Sequence, residues 1–172
     1  MDLRGRRRCR KAQRNMVCRI LRTKGAVLTV WGKAQLADLT ELAHNLELAV
    51  GESGGPVITV SILPAGVPPA EDEVRDHVKG LIPKLIGNCS SVHVVFEGEG
   101  FLAAIKRGVL TGLLHATRRQ HLFHVHGSQA SMLTAIQGET HAAAVASLIQ
   151  LAQERGYFAL NPTGLEASSR IG

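Results

Sequence analysis

The sequence predicts an α/β fold, a mixed sheet of about five strands with helices packed against it. Three observations carry this expectation. Short runs rich in β-branched residues lie at 17–21, 26–31, 56–63, 92–96 and 121–126, and most are separated by longer stretches with apolar residues at helical spacing. Val92, Val94, Val95 and Phe96 make a short apolar run of the kind found in a strand covered on both faces. Gly98 and Gly100 follow that run directly, and the period then changes to that of a helix.

The elements follow in order. Residues 17–21 make a first strand, Thr23, Lys24 and Gly25 a turn, and 26–31 (AVLTVW) a second strand. Leu36, Leu39, Leu42, Ala43, Leu46 and Ala49 then share one stripe, which predicts a helix over 35–50 that Gly51 stops. Ser53, Gly54 and Gly55 form a loop before the β-branched strand 56–63. Three prolines make 64–70 a rigid connector. The next helix, 69–86, has Glu71, Asp72 and Glu73 near its positive end, and Pro83 is expected to kink or shorten it. Beyond the strand 92–96 and the turn 97–100, Phe101, Leu102, Ile105, Val109, Leu113 and Leu114 predict a helix over 101–119. HLFHVH (121–126) gives the last strand, 128–136 a short helix, and 139–155 a final helix closed by Gly156. The expected organisation is a disordered basic arm (1–15), a main domain (16–137), a C-terminal helix (138–156) and a tail (157–172). Met16 offers a second start, from which the arm is not translated.

Composition narrows the function classes. Of the 172 residues 45% are hydrophobic and only 3% aromatic, so the core is aliphatic. No apolar run approaches the ~20 residues of a membrane span, and the basic start lacks the apolar stretch of a secretory signal. Cys9, Cys18 and Cys89 are odd in number and far apart, which reads as reduced thiols of a cytoplasmic protein with no disulfide framework and no zinc site. The net charge of +6 is unevenly placed: residues 1–24 hold ten basic side chains and one acidic, the rest ten basic and thirteen acidic. The basicity belongs to the arm, where Arg6, Arg7, Arg8, Arg10 and Lys11 suit non-specific phosphate contact, without an aromatic among them to stack bases.

Chemistry is weighed residue by residue. His121, His124 and His126 lie close together, with His93 and His115 nearby, but no carboxylate or cysteine accompanies them in sequence, so no metal and no cofactor is expected. Glu97 and Glu99 form an acid–base pair only if their environments separate them; the simpler role is a loop charge at a helix start. Ser90 and Ser91 precede a strand, Cys89 falls in an apparent loop, and no nucleophile elbow is present. The segment from Gly51 to Gly55 lacks the lysine and the strand-before-helix setting of a phosphate loop. Gly108 and Gly112 suit close packing on the sheet, with a homodimer contact as the alternative.

The element order, with Phe96-Glu97-Gly98-Glu99-Gly100-Phe101 after the central strand, resembles the STAS domain (sulphate transporter and anti-sigma factor antagonist), typified by SpoIIAA-like anti-anti-sigma factors. The resemblance covers roughly residues 17–136, and the run from Val57 to Asp76 resembles uncharacterised bacterial STAS-like proteins. The family loop reads approximately Phe-x-Asp-Ser-Ser-Gly-Leu, its first serine being the phosphoacceptor. With Gly100 on the family glycine, Glu97 stands at the aspartate, Gly98 at the phosphoacceptor and Glu99 at the second serine. Gly98 has no hydroxyl, so the resemblance implies a regulatory protein-binding module in bacterial signalling that lacks the phosphorylation switch. Its contacts would come from Glu97, Gly98, Glu99, Gly100, Phe101, Lys106 and Arg107, with a regulator or kinase-like protein as partner and no membrane involved. Two other readings stand beside it: a small enzyme or ligand-binding protein using the strand-end cleft near Glu97 and Glu99, with His93 as a further candidate, and a nucleic-acid-associated protein acting through the arm.

Overall fold

The apolar runs pair into one sheet. The computed structural model describes residues 17–68, 70–97 and 120–158. Within them the order is β1 (Arg19–Thr23), β2 (Ala26–Val30), α1 (Leu36–Ser53), β3 (Val57–Leu63), α2 (Asp72–Asn88), β4 (Cys89–Phe96), β5 (Phe123–His126), α3 (Gln129–Ala135) and α4 (Ala142–Glu154), with one helical turn, Gln120–Leu122, ahead of β5. The arm, the helix expected at 101–119 and the tail from 159 onward lie outside the described residues.

The five strands lie side by side in chain order. β1 runs antiparallel to β2, and β2, β3, β4 and β5 are parallel. The α/β class and the mixed five-stranded sheet are therefore as the sequence predicts, and β4 is an interior strand between β3 and β5. Period-2 alternation divides the sheet residues between two cores. Val27, Val57 and Val92 pack with Leu39, Leu42 and Leu46 of α1 and with Val74, Leu81 and Leu85 of α2. Leu28, Ile58, Val60, Ile62 and Val95 pack on the other face with Met132 and Ile136 at α3 and with Val145, Leu148 and Ile149 of α4.

Several boundaries differ from the sequence expectation for local reasons. The first helix runs past Gly51 to Ser53, because it is Gly54 that takes the left-handed conformation (φ 73°) and returns its N–H to the Val50 carbonyl. At the other end the Gln35 N–H donates to the Asp38 carboxylate at 2.8 Å, which satisfies one of the free donors of the first turn. α2 continues through Pro83 to Asn88. Pro83 and Lys79, one turn apart, are both exposed, so water can reach the carbonyl that the proline leaves without a donor. α3 starts at a Ser128 cap whose Oγ accepts from the Ser131 N–H at 3.1 Å. The packed chain reaches beyond Gly156: Phe158 is buried in the α4 core, and Arg19 lies over the Tyr157 ring at 5.7 Å.

The turn between β1 and β2 requires glycine twice over. Gly25 has φ 87°, and a Cβ there would collide with the His141 imidazole at the start of α4.

Candidate functional site

Functional geometry begins with an irregularity in β4. Val57 pairs with Cys89 and the next residue, Ile58, with Ser91, so Ser90 is an extra residue, a β-bulge, and it is exposed. The bulge changes which way the strand faces. Cys89 joins Val92 in the α1–α2 core, its thiol 3.1 Å from the Thr59 hydroxyl, while Ser91, His93 and Val95 turn towards α3 and α4. Cys89 is thus a strand residue and not part of a loop. Burial pushes its thiol up to about 11, which leaves it inert as a nucleophile at neutral pH.

His93 sits at the centre of a polar group that runs from the apolar layer, where Ser91 and His93 are buried, out to the exposed ring of His124. It is 1% exposed. Its Nε2 lies 3.0 Å from Glu139 Oε1 and 3.0 Å from Ser91 Oγ, and its Nδ1 lies 3.0 Å from His126 Nε2. The Ser91 hydroxyl donates to the other oxygen of Glu139. The His93 ring also stacks on His124 (centroids 4.9 Å apart) and on His126 (5.2 Å). β5 supplies both rings because His124 is the register partner of His93 and His126 that of Val95. Glu139 arrives from the turn between α3 and α4, where its N–H is held by the Ile136 carbonyl at 2.8 Å.

Donor and acceptor counting fixes the protons. Ser91 has one proton and gives it to Glu139, so His93 Nε2 must be the donor to the facing carboxylate oxygen. In the neutral ring His93 Nδ1 is then an acceptor, and His126 Nε2–H donates to it. The chain runs in one direction, from His126 through His93 to Glu139. Burial lowers the His93 imidazole to about 4; Glu139 opposes the fall, and His124 and His126 add to it. Burial lowers His126 as well, with His124 adding to it.

This arrangement does not form a hydrolase triad. In a triad the serine and the acid engage opposite nitrogens of the imidazole. Here both meet Nε2, and Ser91 is only 4% exposed. A metal is poorly served for a similar reason, since each His93 nitrogen is already committed, and among the described residues no group of three or more His, Cys, Asp and Glu side chains is placed to hold one. Sequence reasoning found the histidines but missed Ser91 and Glu139 as their partners. Nothing in the spacing signals Glu139, which is 46 residues from His93.

The sequence-predicted site begins at the carboxyl end of β4. The Glu97 N–H donates to the Leu63 carbonyl at 2.9 Å, and Gln129 Nε2 donates to the Glu97 carboxylate from the first turn of α3. Burial raises the Glu97 carboxyl, with the Gln129 amide opposing the shift. Gly98, Glu99, Gly100, Phe101, Lys106 and Arg107 lie outside the described residues, as do Arg6, Arg7, Arg8, Arg10 and Lys11. The structure keeps His93 apart from Glu97: four residues of strand separate their Cα atoms by about 13 Å.

A separate groove of about 560 Å³ runs between α1 and α2, floored by Leu39, Ala43 and Leu81 and edged by Glu73, Asp76 and Lys84. It lies on the face of the sheet opposite His93. No described helix is long and apolar enough to cross a membrane. Comparison of the chain with protein-family models, with curated proteins and with solved structures returns no match.

Proposed function

We propose that the protein is a non-catalytic, STAS-like regulatory module of the bacterial cytoplasm. It binds another protein through the turn at 97–100, with Phe101, Lys106 and Arg107 extending the surface. The observation that carries this reading is the seat of Glu97. The residue that aligns with the family aspartate leaves an interior strand at the carboxyl ends of the parallel strands, and two partners hold it there. A docking turn that starts from a fixed point loses less conformational freedom on binding than a free one. The strand order adds support. β2, β3 and β4 add in one direction with α1 and α2 on one face, so these connections create no reversal of the kind that opens a cofactor crevice.

Two experiments test the reading. Cross-linking of the tagged full chain in its native cells should capture a partner that is lost with Glu97→Lys and kept with Glu154→Lys, an exposed control on α4. Retention of that partner by both variants contradicts the proposal. A STAS-partner kinase should place no phosphate in the wild-type turn, whereas Gly98→Ser restores the hydroxyl and should accept one. Failure of Gly98→Ser to accept phosphate argues against the family resemblance.

A second reading, a small enzyme or ligand-binding protein at the strand ends, draws on the raised Glu97 carboxyl. It requires partners other than His93, whose nitrogens are both committed elsewhere. Turnover that follows the titration of Glu97 and disappears in Glu97→Gln would favour it.

A further inference from the structure

The polar group around His93 joins three elements that are far apart in sequence. Ser91 and His93 belong to interior strand β4, His124 and His126 to β5, and Glu139 to the turn that carries α3 into α4. β5 is the weak member. It has four residues and pairs, among the described residues, with β4 alone. It leads through Gly127 and the Ser128 cap straight into α3, whose first residue, Gln129, holds Glu97. The groups that fix the edge strand therefore also fix the partner of the proposed docking turn.

Proton capacity sets a limit on this junction. Between His93 Nδ1 and His126 Nε2, 3.0 Å apart, there is room for one proton. One proton added to the pair can be accommodated, because His126 can carry it on its outer nitrogen while still donating to His93. A second leaves two cationic rings with N–H facing N–H, against a third imidazole, His124, stacked on the first. Glu139 is the one described carboxylate in contact with His93 to balance this charge. Val60 of β3, the register neighbour of His93, is apolar, the core on this face is built from apolar side chains such as Met132 and Val145, and Ser91 is the neutral member of the cluster from β4.

We propose that the His93–His126 pair is an acid-sensitive latch: protonation releases β5 and α3 from the sheet and so frees Glu97 from Gln129. The link to regulation of a docking turn rests on the function proposed above; the opening of the edge does not. The sign follows from the burial of both rings. Their affinity for protons is lower in the closed form than the ordinary value of about 6.5, so the closed form is favoured above that pH and gives way as pH falls through the interval below it.

Hydrogen exchange of the full chain, measured by mass spectrometry from pH 7.5 to 5 and corrected for intrinsic rates, tests the latch. The opening constant of Phe123–His126 and Gln129–Ala135 should rise about tenfold per pH unit below pH 6. That of Val57–Leu63 should stay within about twofold, as expected for a region outside the opening unit. Unchanged protection of β5 and α3 at pH 5 overturns the proposal, and so does loss of protection in β3 in step with them. The double variant His93→Phe with His126→Phe keeps both aromatic rings but takes no proton at either, so its edge should stay closed at pH 5. Opening with acid in the folded double variant also overturns the latch; if that variant does not fold, the wild-type profile decides alone. The two proposals fail separately. An acid-opened edge with partner binding indifferent to Glu97→Lys removes the docking function and keeps the latch, while a closed edge with binding lost in Glu97→Lys does the reverse.

Discussion

Both faces of the sheet bury polar side chains, and they treat them differently. On the α1–α2 face Thr29 is fully buried and its hydroxyl has no partner among the described residues, while Thr59 meets the weakly hydrogen-bonding Cys89 thiol. On the α3–α4 face Ser91, His93, Glu139 and His126 satisfy one another in a directed chain. An unmade hydrogen bond costs about 1–3 kcal/mol, so Thr29 is a local penalty that the surrounding apolar packing absorbs. The His93 chain is a different kind of object. It fixes tautomers, ties three elements together and responds to protons. Isolated burial of a hydroxyl carries no such consequence, which is why the second face, and not the first, is where regulation is to be sought.

Three substitutions sharpen the contrast, from the largest effect to the smallest. Leu46→Ala removes a fully buried side chain from the α1–α2 core and should cost about 3 kcal/mol in urea unfolding, equally at pH 7.5 and at pH 5. His93→Leu should cost about 2 kcal/mol at pH 7.5, because Glu139, Ser91 and His126 each lose a partner. That gap should narrow by on the order of 2 kcal/mol towards pH 4.5, since only the wild type must then keep a low-affinity imidazole unprotonated. A pH-independent gap would mean that His93 acts through shape alone. Thr29→Val has the opposite sign: it replaces an unpartnered hydroxyl with a methyl and should be neutral or stabilise by up to about 1 kcal/mol. Destabilisation by Thr29→Val would show that the hydroxyl has a partner and that the two faces are alike.

The fold was largely legible in the sequence, for a physical reason. β-branched runs such as VITVSIL at 57–63 and the leucine stripe of α1 encode their own period, and the period fixes both element type and buried face. What escaped was set by single tertiary facts. Pro83 signals a break, yet its exposed position lets α2 run on. Ser90 reads as ordinary sequence, yet as a bulge it reverses the facing of Cys89 relative to Ser91 and His93. The histidines were visible, and their lack of carboxylate company in sequence pointed away from any site. Glu139 supplies that company through a turn far along the chain, and only the packing of α3 and α4 on the sheet brings it there. Glu97 was visible at the strand end, while Gln129, which holds it, was not.

The central claim is that His93 is a neutral, directed member of a chain and not a passive core residue. Nitrogen-15 NMR of the imidazoles across pH 7.5 to 4 measures this directly. The account predicts that His93 carries its proton on Nε2, with Nδ1 unprotonated, and that it remains neutral well below pH 6, while His126 also carries its proton on Nε2 at neutral pH. A His93 ring protonated on Nδ1 at neutral pH, or one that titrates at the ordinary value of about 6.5, would contradict it.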